Sequence, residues 1–303
     1  MLASPRSNPQ FTVFTPTYNR AHTLEQVYCS LLCQTLSDFE WVIVDDGSSD
    51  GTKDQVMSWQ SEGKIRIRYF YQENQGKPAA HNRGVREASG ELFLVLDSDD
   101  ACTPNALERF LFHWLSIPMP ERDGFSGVTC HCLNPKGNLV GTQFPFDVID
   151  SDPIEMHFKF NVKGEKWGFH RTAILRRFPF PQFPGEKFLP EGLVWHRIAK
   201  DYKSRFVNEA LRIYSDNQVD RLSVVRTRIR SPQGAMLYYQ EVCRWSLPMF
   251  HRIKAAINYL RFSLHAGVCM NEAENRRHRT LMVLRPIAYL LYRLDQLRYR
   301  EGG

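Results

Sequence analysis

Short β-type runs alternating with helical patterns through the first hundred residues constrain the fold more than any other feature of the chain. Residues 11–15 (FTVFT), 41–44 (WVIV) and 92–96 (LFLVL) are short and continuously apolar or β-rich, and residues 65–71 alternate. Between them lie helical patterns over 23–34, with Leu24, Val27, Leu31 and Gln34 on one face, and over 52–60 and 77–88, the last stopped by Gly90. Continuously apolar strands separated by helices predict a parallel sheet covered on both faces, because each face must be buried.

Beyond Asp100 the pattern loosens. A helix is expected over 104–115 and strands of a mixed sheet over 125–133 and 138–144. Residues 145–190 are rich in Pro, Phe and Gly and read as long loops. Residues 193–202 have helical spacing, and from Pro232 the chain reads as helical to its end. The expected organisation is one catalytic unit over 1–220, with a first half at about 10–105 and a second at 106–220, followed by a helical region over 221–303.

Charge separates the same two regions. Residues 221–303 hold 15 Lys and Arg against 5 Asp and Glu, a local +10, while the whole chain carries +6, so the rest is −4. The seven cysteines are scattered without a C-x-x-C pair, which predicts reduced thiols of a cytoplasmic protein rather than zinc or disulfides. The first ten residues lack signal-peptide character, and no apolar run approaches the ~20 residues that span a bilayer. The expectation is therefore a chain without transmembrane segments.

The chemistry is concentrated where strands end. Asp97-Ser98-Asp99-Asp100 follows the run 92–96 directly, and Asp45-Asp46-Gly47-Ser48-Ser49 follows 41–44. In parallel α/β sheets the carboxyl ends of strands are where ligands bind. Three carboxylates in four residues repel one another unless a cation relieves them. Hard oxygen donors suit Mg²⁺ or Mn²⁺ held jointly with substrate phosphates. Taken alone, either cluster is more often a solvated turn or helix cap; two on one sheet edge favour a nucleotide diphosphate with its metal. No G-x-G-x-x-G or G-x-x-x-x-G-K-[ST] is present, which disfavours dinucleotide and P-loop enzymes.

In order along the chain, TPTYNR, VDDGSSDGT, ENQGKPAAHNRG and LDSDD span residues 15–100. As a set they resemble the family 2 glycosyltransferases, which are inverting enzymes of the GT-A fold. The resemblance implies a mixed, mainly parallel sheet with helices on both faces, a nucleotide-sugar donor such as a UDP-sugar, and Mn²⁺ or Mg²⁺. It further implies that Thr15, Pro16 and Tyr18 line the nucleoside pocket and that Asp45 contacts the base. Asp97 and Asp99 become the metal and ribose-phosphate aspartates, with Ser98 and Asp100 beside them. Asn74, Gly76, Lys77 and Asn82 match the segment that closes over the nucleotide. His81 departs from the family pattern, which often has Arg there, so no phosphate contact is carried over to it.

Inverting transfer needs a base for the acceptor hydroxyl. The family places it downstream, often in a Glu-Asp pair opening a helix. The matching segment here is Pro190-Glu191-Gly192, which puts the base on Glu191, with Glu186 and Glu165 behind it. The competing reading of Glu191 is a helix N-terminal charge. Trp167, Trp195 and Asp100 are candidates for the sugar or acceptor subsite, the two tryptophans by stacking, although core packing is the commoner fate of such aromatic residues.

In the tail, Phe250, Ile253, Ile257, Leu260 and Leu264 mark an apolar helix face, repeated by Leu284, Ile287, Leu291 and Leu294. These predict a docked helical region whose Arg and Lys residues could also meet an anionic membrane. No nucleic-acid-binding motif accompanies the basic charge. The expected activity is sugar transfer to a glycan or lipid-linked acceptor in surface polysaccharide or lipopolysaccharide assembly. A nucleotidyltransferase making sugar nucleotides and a non-catalytic nucleotide-sugar scaffold are the alternatives.

Overall fold

The computed structural model describes residues 8–215, 225–268 and 279–299. They divide into two compact units. The first runs to Pro179 and resumes over Val194–Asn217; the second joins Phe180–Leu193 to the tail. Besides the tail from Gln218 onward, the second unit thus takes in Phe180–Leu193, a loop of the predicted catalytic region that carries Glu186 and Glu191.

The first unit is built on β1 (Phe11–Thr17), β2 (Phe39–Asp45), β3 (Ile67–Tyr71), β4 (Leu92–Val95), β5 (Ala101–Cys102), β6 (Phe125–Leu133), β7 (Val148–Ser151), β8 (Lys166–Arg171) and β9 (Lys203–Ile213). Their order is β3-β2-β1-β4-β8-β6-β9-β5, with β7 also on β9. The pairs β1–β2, β1–β4, β2–β3 and β6–β9 are parallel. The pairs β4–β8, β6–β8, β5–β9 and β7–β9 are antiparallel. The sheet is therefore parallel in its first half and largely antiparallel in its second. Residues 138–144 form no strand, contributing an isolated bridge between Leu133 and Leu139. The region read as loops supplies β7 and β8, and β8 lies mid-sheet between β4 and β6.

Strand alternation explains the layering. Phe11 and Val13, Trp41 and Ile43, and Leu92 and Leu94 point into one core with helices α1 (Ala21–Leu32), α2 (Thr52–Glu62) and α4 (Ala106–Leu115). Within it Tyr28, Trp41 and Trp59 stack, with Tyr28 and Trp59 centroids 4.4 Å apart. Phe14 points to the opposite face, stacking on Phe93 at 5.2 Å. There α3 (Lys77–Glu87) lies so close that a Cβ on Gly84 would come within 2.3 Å of the Phe14 ring. Both faces are covered, as the apolar runs predict.

The short helices α5 (Pro153–Phe158), α6 (Thr172–Arg177) and α7 (Gly192–Ile198) follow, and α8 (Val225–Arg230), α9 (Pro232–Val242), α10 (Met249–His265) and α11 (Arg279–Tyr299) form most of the second unit. Its core gathers Ala256, Tyr259, Leu260 and Ala288. Asp295 is buried there and accepts from Arg261 Nε at 2.6 Å and pairs with His265 Nε2 at 2.9 Å. The predicted apolar face of α10 is only partly the buried one. Phe250, Ile253 and Leu264 are exposed, while Ala255, Ala256, Tyr259, Leu260 and Phe262 are buried. On α11 Ile287 and Leu294 are likewise exposed. No described helix is long and apolar enough to cross a membrane.

Candidate functional site

The parallel register sets three strand ends side by side: Thr17 of β1 lies opposite Asp45 of β2, and Phe14 opposite Val95 of β4. Asn19 and Ser48 lace the first two loops together. The Asn19 N–H donates to Ser48 Oγ at 2.8 Å, and Asn19 Oδ1 accepts from Ser49 N–H at 2.8 Å. Asn19 holds a φ of 52°, a left-handed conformation that Asn tolerates through local hydrogen bonding. Tyr18 beside it is half exposed at the loop surface. Pro16 is buried. Thr15 is fully buried; its hydroxyl donates to Leu96 O at 2.7 Å and accepts from Trp41 Nε1 at 2.9 Å. Its hydroxyl therefore ties β1 to the end of β4 and to the Trp41 ring of β2 instead of lining an open pocket.

The two aspartates at the end of β2 are buried and have distinct partners. Asp45 accepts from Ser48 N–H at 2.8 Å and from the Tyr69 hydroxyl at 2.6 Å. Burial and the adjacent Asp45 push the Tyr69 phenol well above its usual range. Asp46 reaches the segment before α3, accepting from Gln72 Nε2 at 2.8 Å, Gln75 N–H at 2.9 Å and Gly76 N–H at 2.7 Å. This places Asn74 and Gly76 beside the strand ends. Gly47 permits the approach. It sits at φ +90°, and a Cβ there would lie 2.9 Å from Asn74 N. Gly76, at φ +89°, then turns the chain into α3.

The α3 residues divide by exposure. Lys77 Nζ lies 2.8 Å from Asp97 Oδ1. Asn82 is half-buried on the same helix. Arg83 donates to Tyr71 O at 2.6 Å. His81 is buried among Phe14, Phe93 and Trp195, and burial drives its pKa down to about 3, so it is a neutral core group with no charge to offer a phosphate.

Around Asp97–Asp100 the charges interlock. Arg212, on β9, donates through Nη2 to Asp97 Oδ2 at 3.1 Å and through Nε to Asp100 Oδ2 at 2.8 Å. Asp100 also accepts from Ser215 N–H at 2.8 Å and is 1% exposed. It thus holds β9 to the loop, and the expectation that it borders the acceptor sugar is corrected. Ser98 is buried too. Asp97 keeps 27% exposure. Burial there pushes its carboxyl up, but the Lys77 and Arg212 charges prevail and hold it at about 2. Asp99 behaves oppositely: burial and the charge of Asp97 raise it, against the weaker pull of Arg20 and Arg212.

Arg212 carries no flag in the sequence. Its one signal is a cation inside an otherwise strand-like stretch, Ala210-Leu211-Arg212-Ile213, and β9 itself was not anticipated.

Asp97 and Asp99 fit a divalent cation by donor chemistry. They are adjacent hard carboxylates, and the mutual repulsion that raises Asp99 is what a bound cation relieves. Two carboxylates leave the remaining coordination to phosphates and water. No cluster of three or more His, Cys, Asp or Glu side chains arranged to hold a metal occurs among the described residues.

Downstream, Trp167 is 3% exposed, donates to Val95 O and packs edge-on against Phe110 at 5.2 Å. It is core, which removes it as a stacking platform. Trp195 on α7 is half-buried and stacks on His170 at 4.8 Å. Glu186 accepts from Gln233 N–H at 2.7 Å and Gly234 N–H at 2.8 Å, capping α9 within the second unit. Glu191 is exposed immediately before α7, and Glu165 is exposed before β8.

The profile described as "Glycosyl transferase family 2" matches residues 12–132. The chain is 29% identical over 211 residues to the GalNAc(5)-diNAcBac-PP-undecaprenol β-1,3-glucosyltransferase of Campylobacter jejuni, covering 68% of this chain and 64% of that relative's length. Among solved structures, S. aureus TarS 1-349 in complex with UDP superposes with a TM-score of 0.64 at 18% identity, covering 97% of this chain and 92% of that one. The mannosyltransferase PcManGT of Pyrobaculum calidifontis, in complex with GDP-Man and Mn²⁺, gives 0.55 at 17% identity, covering 98% and 89%. At these identities the superpositions speak to fold, and the fold they share is GT-A. With the ordered strand-end motifs and the profile agreeing, residues 12–132 are a glycosyl transferase family 2 domain.

Proposed function

We propose that the chain is an inverting glycosyltransferase that moves a sugar from a nucleotide diphosphate, a UDP-sugar, to a hydroxyl of a glycan or lipid-linked acceptor. One observation carries this reading. Lys77 at the start of α3 lies 2.8 Å from Asp97 just beyond β4, with Asp99 two residues on, and β2 ends at Asp45 on the same edge of the parallel sheet; together they would give acceptors for a base and ribose beside a cation for phosphate. The UDP named with the TarS structure and the undecaprenol-linked substrate named for the Campylobacter relative support the donor and acceptor classes.

Asp45 would accept from the base on release of the Tyr69 hydroxyl or the Ser48 N–H that now hold its two oxygens, and Lys77 would turn from Asp97 to the diphosphate. A divalent cation held by Asp97 and Asp99 with the donor phosphates would supply charge neutralisation at the leaving diphosphate. Arg212 holds the Asp97–Asp100 loop in the required shape. Glu191 is assigned as the base. It takes the acceptor proton as the acceptor oxygen bonds the anomeric carbon, while the anomeric carbon–oxygen bond breaks and its electron pair leaves with the diphosphate. Glu186 is a poor competitor because both its oxygens cap α9.

The test is a thermal-shift panel of UDP-, GDP-, dTDP- and CMP-sugars, with and without Mn²⁺. A selective, metal-dependent gain with the UDP-sugar is expected; a panel without any shift overturns the reading. Donor hydrolysis or transfer by the purified protein separates an enzyme from a binding scaffold.

A further inference from the structure

The tail presents two different faces, and only one meets the unit's own core. Among the described side chains of α11 the exposed Val, Ile and Leu residues are Val283, Ile287, Leu290, Leu294 and Leu297, each between 48 and 77% exposed. They recur at steps of four and three residues, so they form a single stripe. The buried side of the same helix carries Ala288 and Asp295, at 1 and 5% exposure. Advancing about 100° per residue, the stripe lies roughly 130° from that side, with Arg293 on one border and Arg298 on the other.

Charge decides what covers it. Among the described residues of α10 and α11 the one acidic side chain is Asp295, and it is buried against Arg261 and His265. The exposed chemistry of both helices is therefore apolar plus cationic. On α10, Met249 and Phe250 are 68 and 71% exposed beside exposed Arg252 and Lys254. A second copy of the chain suits this stripe poorly. The four-three spacing is that of a coiled-coil seam, but a parallel seam built on it sets Arg293 of one helix against Arg298 of the other, with Pro286 also on its border. An acidic lipid surface satisfies both halves at once: the leucines enter the headgroup boundary and the arginines meet phosphate, their stems lying along the apolar surface.

We propose that α11, through Val283, Ile287, Leu290, Leu294 and Leu297 bordered by Arg293 and Arg298, lies flat on an anionic lipid bilayer. The inference is independent of sugar transfer, since binding is measured without donor or acceptor. Failure of either reading leaves the other standing.

The experiment is vesicle co-sedimentation of the full chain with phosphatidylcholine alone and with added phosphatidylglycerol. Two variants are compared, Leu290→Glu/Leu294→Glu and Arg293→Glu/Arg298→Glu, with circular dichroism and thermal unfolding confirming their fold. The arginine pair is exposed, so it keeps the test informative if the leucine pair fails to fold. Wild type should sediment with the acidic vesicles only and be released by salt, and each variant should lose about tenfold or more in partitioning. Equal binding to both vesicles, no binding, or wild-type binding by both variants overturns the proposal. A dimer in sedimentation velocity that Leu290→Glu/Leu294→Glu dissolves would instead assign the stripe to a second copy.

Discussion

Arg212 and Asp97 stand 115 residues apart in the chain and 3.1 Å apart in the fold. The contact exists because β9 returns parallel to β6, and its last residues also pair with β5 next to the acidic loop. Arg212 is 5% exposed and simultaneously holds Asp100, so one buried guanidinium is shared by two carboxylates. Burial opposes its charge, but those carboxylates raise its pKa still further.

Removing that cation should cost more than any single contact. Arg212→Met leaves Asp100 buried without its ion partner, a change of about 3–5 kcal/mol. Urea unfolding should show the loss. Arg212→Lys should recover part of the stability without the two-pronged geometry. Wild-type stability in Arg212→Met would show that the loop does not need this pair.

Two carboxylates near the strand ends should fail differently. Asp99→Asn removes a hard anionic donor and should weaken donor binding mainly when metal is present. Asp45→Ala should weaken UDP binding with or without metal, since its assigned partner is the base. Calorimetry with UDP, with and without Mn²⁺, separates the two. Wild-type titrations from both variants would mean that the nucleotide binds elsewhere.

The base assignment predicts a rate effect without a binding effect. Glu191→Gln should lower transfer about 10²–10⁴-fold at saturating donor and acceptor while donor affinity holds. Glu186→Gln, by contrast, should weaken the α9 cap by about 1 kcal/mol in thermal unfolding and leave the chemical step alone. Glu165→Gln is the second comparison. A selective rate defect in Glu165→Gln with none in Glu191→Gln would move the base.

Acid should destabilise the fold through His81 before the aspartates respond. Burial lowers its pKa to about 3, below the ordinary value of 6.5. The unfolded chain therefore takes up a proton that the folded chain refuses. The resulting stability is fully present above about pH 6.5 and is lost as pH falls toward 3, at a slope of about 1.4 kcal/mol per pH unit. His81→Phe keeps an aromatic ring among Phe14, Phe93 and Trp195 and should remove its share of the slope in urea melts between pH 6 and 4, leaving that of His170 and His196, which burial lowers to about 4. Parallel pH profiles for the variant and wild type would exclude His81 as the source.

Some of this architecture is legible one residue at a time, because the information is local. The runs at 11–15, 41–44 and 92–96 are strands because nothing but a sheet buried on both faces accommodates them. Asp45 and Asp97 therefore had to fall at strand ends, and the loop from Asn74 to Lys77 had to open a helix. Other features depend on partners distant in the chain. β8 and β9 carry mixed polar and apolar residues and become strands only by pairing with β4, β6, β7 and β5. Trp167 and Thr15 are polar-capable residues whose hydrogen-bond needs Val95, Leu96 and Trp41 meet inside the protein. Apolar spacing on α10 and α11 identifies amphipathic helices but cannot say which side faces the core, since Leu260 and Leu264 fit the pattern equally. Ala256, Ala288 and the buried Asp295 settle that choice by close packing and ion pairing. The sequence by itself thus determined the strand-end chemistry of the first hundred residues. Tertiary structure alone brought Arg212 to that chemistry, moved Glu186 and Glu191 into the second unit, and turned a second apolar stripe outward.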